Sequence, residues 1–278
     1  MIYGMTILSI VPVRKEPLEQ SEMVSQILFG ESFEVLQSKL SWLYIRLDYD
    51  GYEGWIDLKH CHLISKRYHT NLVRDKLFVS PDLLQNIRSK EFGDAIIVAG
   101  SSIPNYKGKL GFKAFHSRFR FRKYPEKKHN GDVRKAISHH AAKFINSPYL
   151  WGGRSPMGID CSGFAQVVYK ICGIRIPRDS SKQVKLGTAV NFVNEAKPGD
   201  LAFFDDKNGK IVHVGIILEG SRIIHASGKV RIDFIDHEGI NNSDTFRYTH
   251  QLRVVKNLLE PLSEFDPLAP DGIQQKLF

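Results

Sequence analysis

Gly158-Ile159-Asp160-Cys161-Ser162-Gly163-Phe164 opens an apolar periodicity that continues through Val167, Val168 and Ile171 to Gly173. The spacing predicts a helix that begins at or just before Cys161 and ends at a glycine C-cap. The free N–H groups of a helix N-terminus carry about half a positive charge. A thiolate placed there is expected to be stabilised, with its pKa lowered. The thiolate is the attacking species in acyl transfer, and the same N–H groups can hold a developing oxyanion. Cys161 is therefore the candidate nucleophile, and Asp160 is expected to cap its helix.

A nucleophilic thiol needs a base. Downstream of Pro198-Gly199-Asp200 the pattern turns to short strands at Leu201 to Phe204, His213 to Leu218, Arg222 to Ala226 and Val230 to Ile235. The turn Glu219-Gly220-Ser221 predicts a hairpin that brings His213 and His225 within reach of each other. His213 is then placed to act as base toward Cys161, and His225 to orient His213. Upstream, Val133, Ile137, Ala141, Phe144 and Ile145 recur at helical spacing behind Asp132 as N-cap.

The first half reads differently. From Ile7 to about Ile64, short β-branched and aromatic runs alternate with Gly and Asp turns, which predicts five or six strands in a small barrel. Between 65 and 130, Ala95 to Val98 and Gly111 to Phe115 read as strands, with Pro104-Asn105-Tyr106-Lys107-Gly108 as the turn between them. Arg118-Phe119-Arg120-Phe121-Arg122-Lys123 alternates basic and aromatic residues. Such a stretch is either a nucleic-acid surface or a strand with Phe inward and Arg outward, and nothing else in the chain supports nucleic acid. Lys127, Lys128 and Asn130-Gly131 read as a linker. The tail from Glu260, with Pro261, Pro267 and Pro270, has no helical or strand period and is expected to run extended.

Two resemblances follow from these strings. Pro-Val-Arg at 12–14, Gly-Glu at 30–31, Trp42-x-Tyr44-x-Arg46 and Gly51-Tyr52-Glu53-Gly54-Trp55-Ile56 resemble a bacterial SH3-like domain. Pro148-Tyr149-Leu150-Trp151-Gly152-Gly153, Asp160-Cys161-Ser162-Gly163, Pro198-Gly199-Asp200-Leu201, His213-Val214-Gly215-Ile216 and His225-Ala226 resemble, in order, the NlpC family of papain-like cell-wall cysteine peptidases. The resemblance covers roughly residues 132 to 255. It implies an α+β, papain-like catalytic domain over 131–256, preceded by an SH3-like barrel over 1–64 and a second, degenerate SH3-like module over 65–130, with a tail over 257–278. It implies nucleophile Cys161, base His213, third polar residue His225, and Tyr149 beside the nucleophile polarising the scissile carbonyl.

The SH3-like front end narrows the resemblance to γ-D-glutamyl-L-diamino acid endopeptidases, which cut free muropeptides with an unblocked N-terminal L-alanine. That implies a substrate pocket in which Asp160, with a barrel carboxylate and tyrosine, holds the free amine. Glu22 and Tyr52 fill those barrel positions, and Ser162, Ser180 and Trp151 line the same pocket. A free ammonium among carboxylates makes a charge-assisted contact, whereas a blocked terminus leaves a buried carboxylate unpaired. No cofactor and no metal are implied. Competing expectations are a papain-like acyltransferase or amidase, and a non-catalytic wall-binding protein.

Composition bounds these readings. The chain has 278 residues, 42% hydrophobic and 25% charged, and a net charge of +9, which suits a globular protein with an acidic partner. Cys61, Cys161 and Cys172 do not pair at framework spacings and read as reduced thiols. Cys172 reads as a core residue, and Cys61, in His60-Cys61-His62, as a strand end. The N-terminus has no basic stretch before its apolar run, and no segment reaches a membrane span. The expected location is cytoplasmic, with a small cell-wall peptide as partner and neither nucleic acid nor membrane.

Overall fold

Residues 1–74, 78–126 and 131–259 are described by the computed structural model. The linker expected at 127–130 and the tail from Glu260 lie outside the described residues.

Alternation in the first 64 residues produces a seven-stranded antiparallel sheet: β1 (Ile2–Met5), β2 (Ile10–Arg14), β3 (Met23–Leu28), β4 (Ser32–Lys39), β5 (Trp42–Leu47), β6 (Glu53–Asp57) and β7 (His62–Ile64). The strand order is β3-β2-β6-β5-β4-β1-β7. Val11, Val13, Ile27, Phe33, Ile45, Leu47 and Ile56 point inward and form its core, which is what period-2 patterning requires. The one-turn 3₁₀ segment Leu58–His60 precedes Cys61, whose thiol meets the Leu58 carbonyl at 3.5 Å.

Helix α1 (Lys66–Arg74) leads into the second module: β8 (Phe78–Val79), β9 (Leu84–Ser89), β10 (Gly93–Val98), β11 (Ser102–Ile103), β12 (Gly111–Ala114) and β13 (Ser117–Phe121). The sheet order is β10-β9-β13-β12, with β8 and β11 as a separate ribbon. The two strands expected around the 104–108 turn do not pair with each other. They occupy opposite edges, because β9 and β13 each bury an alternating face and take the centre. Phe119 and Phe121 point inward and Arg118 and Arg120 outward. The module's core is shared: Ile87, Ile97, Phe112, Phe119 and Phe121 pack with Met5, Ile7 and Phe29 of the first barrel.

The third unit contains α2 (Val133–Lys143), β14 (Arg154–Ser155), β15 (Gly158–Ile159), α3 (Cys161–Ile171), α4 (Ser180–Gln183), β16 (Thr188–Val190), β17 (Leu201–Asp205), β18 (Ile211–Leu218), β19 (Arg222–Ser227), β20 (Lys229–Ile235), β21 (Gly239–Asn241) and β22 (Tyr248–Asn257). The sheet runs β16-β22-β17-β18-β19-β20-β21, and β21 pairs back with β22, so six strands close on themselves. Helices α2 and α3 cover its outer face through Ile137, Phe144, Phe164 and Val168 against Leu201, Phe203, Val214 and Ile224. Leu258 and Leu259 also reach this core, so the unit extends past the expected boundary at 256. Among the described residues, no helix is long and apolar enough to cross a membrane.

Every residue of α3 is buried, polar ones included. The helix lies between its own sheet and the first barrel, and its polar side chains find partners there. Lys170 Nζ lies 2.6 Å from Glu31 Oε1, and Arg154 reaches both oxygens of Glu31 at 2.9 and 3.0 Å. Gln166 Nε2 donates to Asp50 at 2.7 Å. These contacts bind barrel and catalytic unit by buried charge, a geometry that tolerates little displacement.

Candidate active site

Helix α3 begins where Asp160 accepts from the Gly163 N–H at 2.7 Å. Its other oxygen accepts from the Gly152 N–H at 2.8 Å. Gly152 has φ +75°, and a Cβ there would sit 2.3 Å from the Met23 carbonyl oxygen in the barrel. Only glycine lets this turn approach the barrel and still donate to Asp160. The Arg178 guanidinium spans both Asp160 oxygens at 2.9 and 2.5 Å and reaches Ser162 Oγ at 2.9 Å and Ser25 Oγ at 3.1 Å. The Asp160 lone pairs are thus taken by the helix, the turn and Arg178. Asp160, expected both to cap the helix and to hold a substrate amine, caps the helix that carries Cys161, pairs with Arg178 and lines the cleft.

Cys161 sits in the first turn of α3 and is 7% exposed. The thiol was expected to have a lowered pKa. Burial pushes it up instead, to about 12, with the Asp160 carboxylate adding to the rise. The Val214 N–H, Arg178 and the Ser162 N–H act in the opposite direction. His213, next to Val214 on β18, is also buried, and burial with His225 and His250 nearby holds its imidazole well below its ordinary range. Burial thus disfavours a charge on either group taken singly. Proton transfer from one to the other creates both charges together, which is the exchange a general base performs.

His213 Nε2 lies 2.9 Å from His225 Nδ1, and His225 Nε2 lies 3.0 Å from Asp233 Oδ2. Asp233 was missed in the sequence, where it looks like one more strand charge. Arg231 Nε and Nη2 and the Ser243 N–H hold it at 2.7, 2.8 and 2.8 Å. These partners and His225 hold its carboxyl well below the usual range. An ionised carboxylate only accepts, so with both rings neutral, His225 carries its proton on Nε2 and accepts on Nδ1. His213 must then donate from Nε2, which leaves Nδ1 as its basic nitrogen. His250 stacks on His213 with centroids 4.1 Å apart and fixes the ring plane. Gly215 completes the arrangement: a Cβ there would lie 2.6 Å from Ile223 Cδ1 and 2.9 Å from His225 Cβ.

A cavity of about 580 Å³ opens on Cys161. Tyr149, Trp151, Asp160, Ser162 and Ser180 line it from the catalytic unit, and Glu22 and Tyr52 from the barrel. The structure therefore brings all of these sequence-predicted residues to one cleft, while His213 and His225 lie on β18 and β19, outside that lining. Burial raises the Tyr149 phenol to about 12, so it remains an O–H donor. Burial also raises Tyr52 to about 12, and its hydroxyl lies 3.4 Å from the Val24 carbonyl. Glu22 accepts from Trp151 Nε1 at 2.8 Å and pairs with Lys15 at 3.3 Å. Residues missed in the sequence are Arg178, Tyr44 and Glu53, the latter two sharing a hydrogen bond of 3.2 Å at the cleft. A hollow of about 990 Å³ beside Phe192, Asp236 and His237 has no cysteine in its lining. Glu126, His139 and His140 bring ligand-type atoms within 4.8 Å, but Lys143 already engages the Glu126 carboxylate.

The profile of the NlpC/P60 family matches residues 146–248, and that of the bacterial dipeptidyl-peptidase Sh3 domain matches residues 13–60. Gamma-D-glutamyl-L-lysine dipeptidyl-peptidase of Bacillus subtilis (strain 168) is 32% identical over 216 residues, covering 73% of this chain and 71% of that one. Dipeptidyl-peptidase 6 of Lysinibacillus sphaericus is 26% identical over 250 residues, 80% of this chain and 88% of that one. An NlpC/P60 family protein from Bacillus cereus ATCC 10987 superposes with a TM-score of 0.76 at 19% identity, over 93% of this chain and 100% of that one, and so shares the fold.

Proposed function

The chain belongs to the NlpC/P60 family and is a cysteine peptidase acting on cell-wall peptide, and from that premise we propose that it hydrolyses the γ-D-glutamyl–diamino acid bond of free muropeptides whose N-terminal L-alanine is unblocked. The observation that carries this reading is the shared cleft, in which the barrel residues Glu22 and Tyr52 line the same 580 Å³ as Cys161. A barrel across the cleft closes one end to a continuing glycan strand. A carboxylate at that end favours a ligand that terminates in an ammonium.

In this reading Cys161 attacks the γ-carbonyl carbon as its proton passes to His213. The Tyr149 hydroxyl and the N–H groups at the start of α3 stabilise the oxyanion. Collapse breaks the C–N bond, and the His213 imidazolium gives its proton to the departing amine. Water, deprotonated by His213, then hydrolyses the thioester and releases L-Ala-γ-D-Glu. His225 and Asp233 hold His213 in the required tautomer. Asp160 acts through Arg178 and the α3 N-terminus, and Glu22 is the carboxylate within reach of the substrate amine. In this reading the substrate is one already released from the wall, and the enzyme serves turnover or recycling of wall peptide.

Mass spectrometry of products from L-Ala-γ-D-Glu-diaminopimelate, from its lysine counterpart and from N-acetylated copies tests the reading. Release of L-Ala-γ-D-Glu from free peptides alone, abolished in Cys161→Ala, is the expected result. Equal cleavage of acetylated peptides would remove the amine-gated cleft and leave a peptidase of broader reach.

A further inference from the structure

The basic-aromatic stretch that the active site does not use lies on the outer face of the second module. Between residues 84 and 123 the chain carries nine Lys and Arg against two Asp and Glu, a net +7 of the whole chain's +9. The β9–β13–β12 register sets these charges against each other. Arg120 pairs directly with Arg88, and Lys113 directly with Arg118. Like charges at facing positions destabilise a sheet. Among the described residues, Asp94 is the one acid that pairs with these cations, bridging Arg88 at 3.7 Å and Arg122 at 3.1 Å. No hydrogen bond or ion pair within the described residues takes up the side chain of Lys113, Arg118 or Arg120, and all three are exposed.

We propose that this face docks a linear phosphodiester polymer that carries no aromatic bases. Five cations stand on a lattice about 4.8 Å apart across strands and about 6.7 Å apart along them, a spacing that a flexible chain with one anion per few bonds can follow. Four of the five are arginines, whose planar fork matches phosphate oxygens in a bidentate manner. A polyanion would neutralise the facing like-charge pairs and gain counterion release. Single-stranded nucleic acid needs aromatic platforms beside its cations. Here the rings of Phe112, Phe119 and Phe121 all point into the core, at most 3% exposed. The proposal is independent of the peptidase reading, since none of these residues lines the cleft.

The test measures binding of the full chain to synthetic poly(glycerol phosphate), by fluorescence anisotropy, between 50 and 200 mM salt. The triple variant Lys113→Ala/Arg118→Ala/Arg120→Ala should bind at least ~10-fold more weakly at the lower salt, and its log–log salt slope should fall by about 2. Its Tm should equal or exceed wild type, because two facing like-charge pairs are relieved. A charge-matched control, Lys39→Ala/Lys185→Ala/Lys207→Ala, should bind within about twofold of wild type. Absence of wild-type binding, or equal weakening by both triples, would overturn the assignment to this face. Tighter binding by more than tenfold of an oligo-dT with the same number of charges would make the partner a nucleic acid and overturn its base-free character.

Discussion

Asp233 Oδ2 lies 3.0 Å from His225 Nε2, and this contact decides which nitrogen of His213 is basic. The carboxylate sits on β20, two strands away from His213, and acts entirely through the intervening ring. Asp233→Asn keeps an oxygen in place but removes the charge and lets an amide donate, which can reverse the hydrogen-bond sequence. We expect kcat to fall by about 10²- to 10⁴-fold with KM within about twofold, read by steady-state kinetics on the free muropeptide. A drop in KM-limited binding with kcat preserved would place Asp233 outside the relay.

The same chain sets the pH response. His213 is held below its ordinary value by burial and its neighbouring rings, so its neutral, basic form persists from alkaline pH down through 6.5. The rate kcat/KM should stay level between about pH 6.5 and 8 and decline only at more acid pH. Cys161, raised to about 12, should react with iodoacetamide at a rate that keeps climbing between about pH 7 and 10. A plateau below about pH 8 would reveal a preformed thiolate–imidazolium pair instead.

Glu31 holds Arg154 and Lys170 in a fully buried cluster between barrel and catalytic unit. Glu31→Ala leaves two buried cations facing each other and should destabilise the protein by about 3–5 kcal/mol, measured by urea unfolding. The wild-type carboxyl is lowered by Arg154 and Lys170 to about 2, against burial, from the ordinary 4.5. A depressed folded pKa stabilises above the unfolded value. This contribution, about 3 kcal/mol, is complete above pH 4.5 and lost as pH falls toward 2. Glu31→Ala should therefore flatten the acid limb of the stability curve.

Gly215 faces His225 across the β18–β19 pair. Gly215→Ala places a methyl 2.6 Å from Ile223 and 2.9 Å from the His225 Cβ. Strand separation or a tilted His225 must follow, at a cost of about 1–3 kcal/mol. Because the displaced ring is the one that orients His213, kcat should fall more than that loss of stability accounts for, compared by kinetics well below Tm.

The order of motifs along the chain made the helix that begins at Cys161, the paired histidines and both domain types legible. Local chemistry dictates each: Asp160 caps the helix that presents Cys161, and period-2 strands with tight turns carry His213 and His225 side by side. Residues whose role depends on distant partners were not legible. Asp233, Arg178 and Glu31 read as ordinary charges in sequence, and they acquire meaning from contacts at separations of 8, 18 and 123 residues. Burial was likewise invisible. A helix N-terminus alone argues for a lowered thiol pKa, but the barrel and sheet packed around Cys161 exclude enough water to reverse the sign. Sequence alone determined which groups can do chemistry, because their type and local spacing are properties of the chain. Tertiary structure decided their charge states, tautomers and shared cleft, because desolvation and pairing arise only when remote segments close around them.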